Sequence, residues 1–412
     1  MLREFCSVCN YADDGFIGIR YQDGRPHVSF PRGYSLSDED EAVRKDILCL
    51  IAVLQRFSRQ REGDGRTGAG EETLSFPILS YQYVINDFLA HGYYAEQEVE
   101  YRQSDSGKAN WKRTIQQVQP QLDNGNIVYL NFIAKRSVTA SSIITRIHEF
   151  CVYESFSKLG WLYLSSAFLP PKPSFRFNRR IYLSALNDAL KNTFNSEKKL
   201  LFKSMINIIS CAEEHAERMD FQYGVSRFEY VWEKLIDYVF GESNKEIFFP
   251  RAKWHIISGH RTETSALEPD TVMILGDKFF ILDAKYYKYG MTNNRMHLPA
   301  TSSIQKQITY GDYIARCRFA DRNEIYNAFV MPFTASDGED PMKFVSVGTA
   351  DWIEYSPRTE NYKYILGMLL DTRYIMNTYT RHNEKVILNA SELIVKSLEK
   401  YRLDEEHAST YP

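Results

Sequence analysis

Two aspartates and a lysine, Asp270, Asp283 and Lys285, are the residues of this sequence whose types and spacing best suit chemistry. Carboxylate oxygens are hard ligands of the kind that Mg²⁺ prefers in proteins. A bound Mg²⁺ can polarise a phosphodiester and lower the pKa of a water ligand. A lysine beside the ion can position that water or stabilise charge in the transition state. Together these side chains predict metal-dependent cleavage of a phosphodiester bond, with the carbonyl of Ala284 as a further candidate ligand.

The elements that would position these side chains form a predicted β-hairpin. Two β-rich runs, Thr271–Leu275 and Phe279–Lys285, are separated by a Gly-Asp pair that is typical of a tight turn. Since side chains alternate across a strand, Asp283 and Lys285 project from the same face. An antiparallel hairpin also brings Asp270, at the start of the first strand, next to the end of the second. The alternative is an exposed hairpin with an ordinary salt bridge, because the bare pattern is common by chance.

Composition indicates a globular protein with more than one domain. The chain has 412 residues, of which 44% are hydrophobic and 25% are charged. Its formal net charge is −3, so any positive charge that binds DNA must be local. Three basic clusters are candidates, although each is more often a solvated surface. The clusters are Arg102, Lys108, Lys112 and Arg113; Lys172, Arg176, Arg179 and Arg180; and Lys306, Arg316, Arg318 and Arg322.

Several function classes are disfavoured by what the sequence lacks. No apolar run approaches the roughly 20 residues needed to cross a bilayer, and the N-terminus lacks a signal-peptide core, so we expect a cytoplasmic protein. Six scattered cysteines argue against a disulfide framework. Cys6 and Cys9 form a lone CxxC pair, which we interpret as two thiols rather than a zinc site. Gly63 and Gly68 have phosphate-loop spacing, but no Lys-Ser or Lys-Thr follows, which argues against an NTPase.

The positions of prolines and glycines predict that the chain is divided into four regions. Pro170, Pro171 and Pro173 mark a boundary, and the glycine-rich stretch after Arg61 reads as a flexible linker. The predicted regions are an N-terminal strand and helix region over 1–60, a linker over 61–75, a middle α+β region over 76–169 and a catalytic region over 170–412.

Three sequence segments resemble a known family. The segment Asp283–Lys288, preceded by Phe-Phe-Ile-Leu, resembles the active-site strand of McrC, the nuclease subunit of McrBC restriction systems in the PD-(D/E)xK superfamily. Gly107–Ile115 and Val28–Tyr34 resemble patterns of LlaJI-type relatives. The resemblance implies an α/β fold whose C-terminal PD-(D/E)xK core, a mixed central sheet flanked by helices, follows smaller N-terminal α+β regions.

The same resemblance implies two further catalytic residues. Glu233 lies in a predicted helix that offers a metal-binding glutamate in many relatives, and Glu229, four residues earlier on the same face, is the rival. Gln307 matches a Gln-x-x-x-Tyr pattern of the helix after the active-site strand. The tyrosine here is Tyr310, one position early, and Gly311 stands at the expected place, so Tyr310 is about as typical of simple packing.

Candidate DNA contacts lie close to the catalytic strand. Lys288 and Arg295 follow it directly, and Lys306 precedes Gln307 in the next predicted helix. His297 could contact a phosphate, but we assign it no role, because a lone histidine in a loop is more often incidental.

The resemblance implies a Mg²⁺-dependent DNA endonuclease subunit of a McrBC- or LlaJI-like bacterial restriction system in antiphage defence, with Mn²⁺ as a substitute. Its implied partner is an AAA+ GTPase hexamer, bound through the N-terminal regions, while the middle region would bind the partner or DNA. The alternatives are a stand-alone restriction endonuclease, a non-cleaving activator or scaffold subunit, and an RNA-directed nuclease. Dimerisation for double-strand cleavage stays open, and no membrane partner is expected.

Overall fold

The chain divides into two units that differ in secondary structure. The structure is a computed structural model that describes residues 2–11, 15–64, 74–123, 126–140, 142–164, 168–212, 220–317, 319–335, 343–352, 360–379 and 384–409. One unit, here called the sheet unit, combines Met1–Ser75 with Asp220–Pro412. The other, the helical unit, is formed by Phe76–Met219.

Strands and helices alternate along the described chain. The strands are β1 Cys6–Val8, β2 Ile17–Gln22, β3 Arg25–Phe30, β4 Glu96–Ser104, β5 Gln121–Asp123, β6 Asn126–Val128, β7 Phe132–Ala140, β8 Phe221–Val225, β9 Lys253–His255, β10 Arg261–Glu263, β11 Thr271–Leu275, β12 Lys278–Ala284, β13 Ile325–Phe333, β14 Phe344–Ala350 and β15 Ile365–Asp371. The helices are α1 Asp40–Asp64, α2 Ile78–His91, α3 Trp111–Gln117, α4 Ile143–Tyr163, α5 Arg179–Asn192, α6 Ser196–Cys211, α7 Phe228–Phe240, α8 Tyr289–Thr292, α9 Thr301–Arg316, α10 Thr372–Thr378 and α11 Glu384–Ser409. Short 3₁₀ turns occur at Leu2–Phe5, Lys245–Phe248, Arg295–His297, Arg322–Glu324 and Asn361–Lys363.

A mixed five-stranded sheet forms the centre of the sheet unit. Its strand order is β11-β12-β13-β15-β14, with β12, β13 and β15 parallel and the edge strands β11 and β14 antiparallel to their neighbours. Every residue of β13 is buried, as expected for a parallel strand covered on both faces. The predicted α/β class and the β11–β12 hairpin are therefore confirmed. Membership of this sheet in the PD-(D/E)xK class stays a prediction.

Helices α7 and α9 are anchored to this sheet by apolar packing. Tyr310 and Ile314 of α9 belong to the same buried cluster as Val272, Phe279 and Ile281 of the hairpin. Fully burying one large apolar side chain stabilises a fold by roughly 1.5–3 kcal/mol, so this cluster holds the hairpin firmly. The indole of Trp232, on α7, is fully buried and donates a hydrogen bond of 3.2 Å to the carbonyl of Val330 on β13.

The N-terminal strands join the same unit through a second sheet, of order β1-β3-β2-β8. Strand β8, which follows the helical unit in sequence, pairs antiparallel with β2. Gly18 and Gly224 face each other in this pairing, and a Cβ on Gly18 would lie 2.2 Å from the carbonyl oxygen of Tyr223. This close approach requires glycine and fixes the register of the two strands.

The compact units divide the chain differently from the predicted regions. Residues 1–60 do not stand apart, because β2 pairs with β8 and α1 packs against α7. No unit boundary falls at residue 170, because α5 and α6 pack against α4 and belong to the helical unit. Helix α1 extends to Asp64, so the first residues of the predicted linker are helical. The rest of the glycine-rich stretch, 65–73, lies outside the described residues.

The helical unit packs α2, α4, α5 and α6 together and carries two antiparallel two-stranded sheets, β4–β7 and β5–β6. Helix α4 begins with a capping box in which Ser142 and Thr145 satisfy each other's backbone N–H groups. On the same helix His148 is fully buried, and its Nδ1 accepts a hydrogen bond of 2.8 Å from the backbone N–H of Tyr94. Burial lowers the pKa of His148 to about 4, even though a carboxylate oxygen of Asp87 lies 3.9 Å from Nε2.

Within the part of the chain that the structure describes, no helix combines the length and the apolar character needed to cross a membrane.

The buried histidine makes the stability of the helical unit depend on pH. Since the pKa of His148 is about 4 in the fold and near 6.5 when unfolded, its contribution is complete above pH 6.5 and is lost as the pH falls towards 4. The loss should reach about 3 kcal/mol. Urea unfolding of wild type and His148→Gln at pH 7 and pH 4.5 measures it, because glutamine retains an acceptor for Tyr94 and does not titrate. Equal pH dependence of the two proteins would contradict the prediction.

Candidate active site

The β11–β12 hairpin brings Asp270 and Asp283 together at one end of the sheet. Thr271 pairs with Leu282, so Asp270 lies beside the last residues of β12. The backbone N–H of Ala284 donates a hydrogen bond of 2.9 Å to Oδ2 of Asp270. The carboxylate of Asp270 is thus held by the backbone of the strand that carries Asp283, as the alternation of the hairpin predicts.

Lys285 completes this group from the end of β12. Its Nζ lies 2.7 Å from Oδ1 of Asp283. Asp283 itself is buried, with only 9% of its surface exposed. Burial by itself would lower the pKa of Lys285, but the charge of Asp283 and the hydrogen bond to it outweigh burial, and the pKa is raised. The amine therefore stays charged at neutral pH.

The two carboxylates perturb each other strongly. The pKa of Asp270 is raised to about 8 by burial, then by the hydrogen bond to Asp283 and by its charge, while Lys285 opposes the shift. Near neutral pH the protonated form of Asp270 is therefore favoured. A positive ion placed between them would satisfy the same oxygens and displace that proton.

Glu233, on α7, faces the same group. It lines a cavity of about 500 Å³ together with Lys285 and a second of about 610 Å³ together with Asp270. Its pKa is raised by burial and by the charge of Asp283, against the opposing charge of Lys285. The rival Glu229 lines only the first of these cavities, and it pairs with Arg227, whose Nε lies 2.6 Å from Oε1. Of the two glutamates, Glu233 is the better placed to act with the aspartates.

A second lysine supports the strand end that carries Asp270. Nζ of Lys245 donates a hydrogen bond of 2.5 Å to Oδ1 of Asp237 and another of 2.5 Å to the carbonyl oxygen of Asp270. This bridge ties α7 to the residue before β11. The sequence contained no local signal for it, because Lys245 lies in a short 3₁₀ turn outside every motif.

The cavity beside Lys285 has a basic wall that includes the predicted Lys288 and also Arg32, which the sequence did not predict. Arg32 lines it, and its guanidinium donates a hydrogen bond of 2.6 Å to the carbonyl oxygen of Tyr286. The backbone N–H of Arg32 also donates to the phenol oxygen of Tyr286, at 2.6 Å. Lys288 and His297 line the same cavity, and Nδ1 of His297 lies 2.7 Å from the hydroxyl of Thr292. Arg32 belongs to the Val28–Tyr34 pattern, which was the available hint.

The remaining predicted residues lie in different surroundings. Gln307 of α9 is fully buried, and its backbone carbonyl accepts a hydrogen bond of 3.0 Å from Asn327. Among the described residues no hydrogen bond of its side-chain amide is formed, so a catalytic role for Gln307 stays a prediction.

Tyr310 donates a hydrogen bond to the carbonyl oxygen of Glu268 at 3.2 Å, and burial with the charges of the two aspartates raises its pKa to about 12. Its position in the buried cluster fits packing.

Of the predicted DNA contacts, Lys288 reaches the cavity of Lys285, whereas Arg295 and Lys306 are exposed on the surface. Their role in binding DNA stays a prediction.

The oxygens around Asp270 fit a magnesium ion that keeps part of its water shell. Mg²⁺ is usually bound through one or two carboxylates plus waters and substrate oxygens, and the Asp270–Asp283 pair offers that set. Across the described ranges no group of three or more His, Cys, Asp or Glu side chains is already arranged as a metal-binding cluster. With Glu233 alongside, the Asp270–Asp283 pair is the donor set that could hold such an ion.

Comparison with known proteins identifies the family. Residues 16–355 match the family model of the LlaJI restriction endonuclease, so the chain belongs to this family, and the predicted LlaJI resemblance is confirmed. The chain is also similar to the YdjA component of the type II restriction enzyme BsuMI from Bacillus subtilis (strain 168). The two are 24% identical over 262 residues, which is 60% of this chain and 56% of that protein. The chain thus matches little more than half the length of this relative.

The carboxylate pair should lower the stability of the metal-free protein at high pH. A carboxyl group whose pKa is raised by folding stabilises below its unfolded pKa of about 3.8, and this contribution is lost as the pH rises through about 8. Asp270→Asn keeps an acceptor for Ala284 and removes the repulsion. In a chelator we expect the variant to exceed wild type by on the order of 1–3 kcal/mol at pH 8.5 and by much less at pH 5. Urea unfolding measures the difference.

The matched control is Asp277→Asn, which removes an exposed carboxylate at the turn of the same hairpin. It should leave the unfolding free energy within about 0.5 kcal/mol of wild type at both pH values. A gain at pH 8.5 that is no larger for Asp270→Asn than for the control would contradict the prediction.

Proposed function

We propose that this member of the LlaJI restriction endonuclease family is a Mg²⁺-dependent DNA endonuclease whose catalytic centre is formed by Asp270, Asp283 and Lys285. One observation carries the proposal. Two partly buried carboxylates share a hydrogen bond at the end of β12, and a charged lysine lies 2.7 Å from one of them. This is the donor set and the cation that phosphodiester hydrolysis needs.

Each residue of the proposed centre would have a role that follows from its position. Asp270 and Asp283 would hold the ion through their charged carboxylates. When bound, Mg²⁺ supplies polarisation of the phosphodiester and a water of lowered pKa. Lys285, fixed by Asp283, would orient the attacking water and balance the negative charge that develops on the phosphate. Glu233 would orient a water or complete the ion's surroundings from α7.

The sheet around the centre supports assignment to the PD-(D/E)xK superfamily, which is part of the proposal. An antiparallel hairpin, β11–β12, is continued by parallel strands β13 and β15. The proposed catalytic aspartates stand at adjacent ends of the hairpin strands, where helices α7 and α9 pack.

We further propose that the chain acts as one subunit of an antiphage restriction system, together with an AAA+ GTPase. The relative from Bacillus subtilis is named a component of its restriction enzyme, which favours a multi-subunit assembly. The sequence carries no Gly-x-x-x-x-Gly-Lys-Ser/Thr phosphate loop, so nucleotide hydrolysis would come from the partner. That relative is also named a type II enzyme, and this favours as second candidate an endonuclease that cuts without nucleotide.

The first test is cleavage of plasmid and phage DNA in Mg²⁺ by wild type and Asp283→Ala. Loss of Asp283 removes an ion ligand and the partner of Lys285, so cleavage should fall by a hundred- to a thousandfold or more, roughly. Each protein is assayed alone and with a candidate AAA+ GTPase partner and GTP. Cutting by wild type only with the partner and GTP supports the GTPase assembly, whereas unaided cutting at fixed sites supports the second candidate. Equal cutting by the variant would remove the proposed centre.

The two glutamates of α7 offer a matched pair for the metal-side role. Glu233→Gln should lower the cleavage rate by about ten- to a hundredfold and raise the Mg²⁺ concentration for half-maximal rate, because Glu233 lines both cavities. Glu229→Gln should change either quantity by less than about threefold, because Glu229 is engaged by Arg227. The reverse ranking of the two variants would assign the role to Glu229.

A further inference from the structure

Between α7 and β11 the chain forms a two-stranded ribbon over residues 250–267, made of β9 and β10. The strands pair antiparallel, and two backbone hydrogen bonds continue the ladder towards the start of β11. The N–H of Thr264 donates to the carbonyl of Ala252 at 2.9 Å, and that of Leu267 donates to Pro250 at 2.9 Å. The ribbon is therefore a continuous arm that ends directly before the strand of the active site.

The ribbon presents large apolar side chains to solvent. Every residue from 251 to 265 is exposed. Trp254 is 67% exposed, and Ile257, at the tip, is fully exposed. An isolated two-stranded hairpin is at best marginally stable in water, and exposed apolar side chains grouped together mark an interaction surface. The ribbon therefore has the character of a surface that a partner covers.

The charge of the ribbon indicates an acidic partner. Arg251, Lys253 and Arg261 carry three positive charges, against a single carboxylate, that of Glu263. His255 and His260 add ring N–H donors. Cations interleaved with an aromatic and aliphatic side chains are the combination that binds nucleic acid, whereas the chain as a whole has a net charge of −3.

The base of the ribbon opens onto the candidate active site. Arg251 lines the cavity of about 610 Å³ that is also lined by Asp270 and Glu233. A phosphate backbone that places one phosphodiester at the aspartates would therefore continue past Arg251 and along the ribbon. The ribbon and the candidate site are therefore placed so that one nucleic-acid strand could contact both.

We propose that the ribbon over residues 250–267 binds double-stranded DNA next to the phosphodiester that is cut. A two-stranded β-ribbon fits the major groove, where Lys253 and Arg261 reach phosphates and Trp254 and Ile257 contact bases or sugars. This inference rests on the proposed nuclease function and adds to it the element that grips the substrate. A protein partner for the ribbon is the competing occupant, and the test separates the two.

The test measures binding of a fluorescent DNA duplex to the full chain carrying Asp283→Ala, which prevents cleavage. In that background Lys253→Gln with Arg261→Gln should weaken binding about tenfold at moderate salt. Since each lost phosphate contact lowers the slope of log Kd against log salt by about 0.9, the double variant should lower it by about 1.8. The matched control is Lys396→Gln with Lys400→Gln on α11, which removes two other exposed lysines and should leave Kd and slope unchanged.

A second readout follows Trp254 itself. Tryptophan emission of the full chain should change on addition of duplex, and Trp254→Phe should remove most of that change while the circular dichroism spectrum stays the same. This readout does not depend on the charged variants or on cleavage.

The outcomes separate the ribbon from the nuclease. Wild-type cleavage together with unchanged duplex affinity and slope in the ribbon variants overturns the ribbon proposal alone. Unchanged duplex affinity with lost binding of the AAA+ GTPase also overturns it, because a protein then covers the ribbon. Ribbon-dependent duplex binding by a chain that never cleaves overturns the nuclease and supports the ribbon. A chain that binds no duplex, either alone or with the AAA+ GTPase and GTP, overturns both.

Discussion

Two carboxylates held side by side in a partly buried place are the constraint on which the rest of the sheet unit depends. Asp270 and Asp283 repel each other when both are charged, and burial makes that repulsion costly. The raised pKa of Asp270, the ammonium of Lys285 and the backbone N–H of Ala284 offset it. The apolar cluster around Val272 and the helices that cover the sheet stabilise the fold and so offset the remaining repulsion between the two carboxylates.

The wall of the site is built from distant parts of the chain. Arg32 reaches Tyr286 from the N-terminal segment, and the carbonyl of Arg32 accepts a hydrogen bond of 2.9 Å from Thr372 near the C-terminus. Next to it Gly33 has φ +74°, and a Cβ there would lie 2.9 Å from the backbone of Phe333. This tight passage fastens the N-terminal segment to β13, so the region before the helical unit helps to build the wall of the candidate site.

The division of the chain shows how a local signal can mislead. The prolines around residue 170 predict a break, and the chain does leave helical structure there. The helices that follow nevertheless pack on α4, because their apolar faces find cover there, and the return to the sheet unit comes only with β8. A proline run identifies the end of an element but carries no information about which elements later share a core.

The sequence by itself determined the hairpin, its turn and the convergence of Asp270, Asp283 and Lys285, because these depend on strand alternation and on contacts within sixteen positions. It also determined the family, through the segments that resemble LlaJI-type proteins. Tertiary structure alone decided the partner of β8, the bridge from Lys245 and the place of Arg32 beside Tyr286, 254 positions away. Such pairings depend on the closure of long loops and on burial, and burial also raises the pKa of Asp270. Loop closure and burial leave no periodic signal in the sequence.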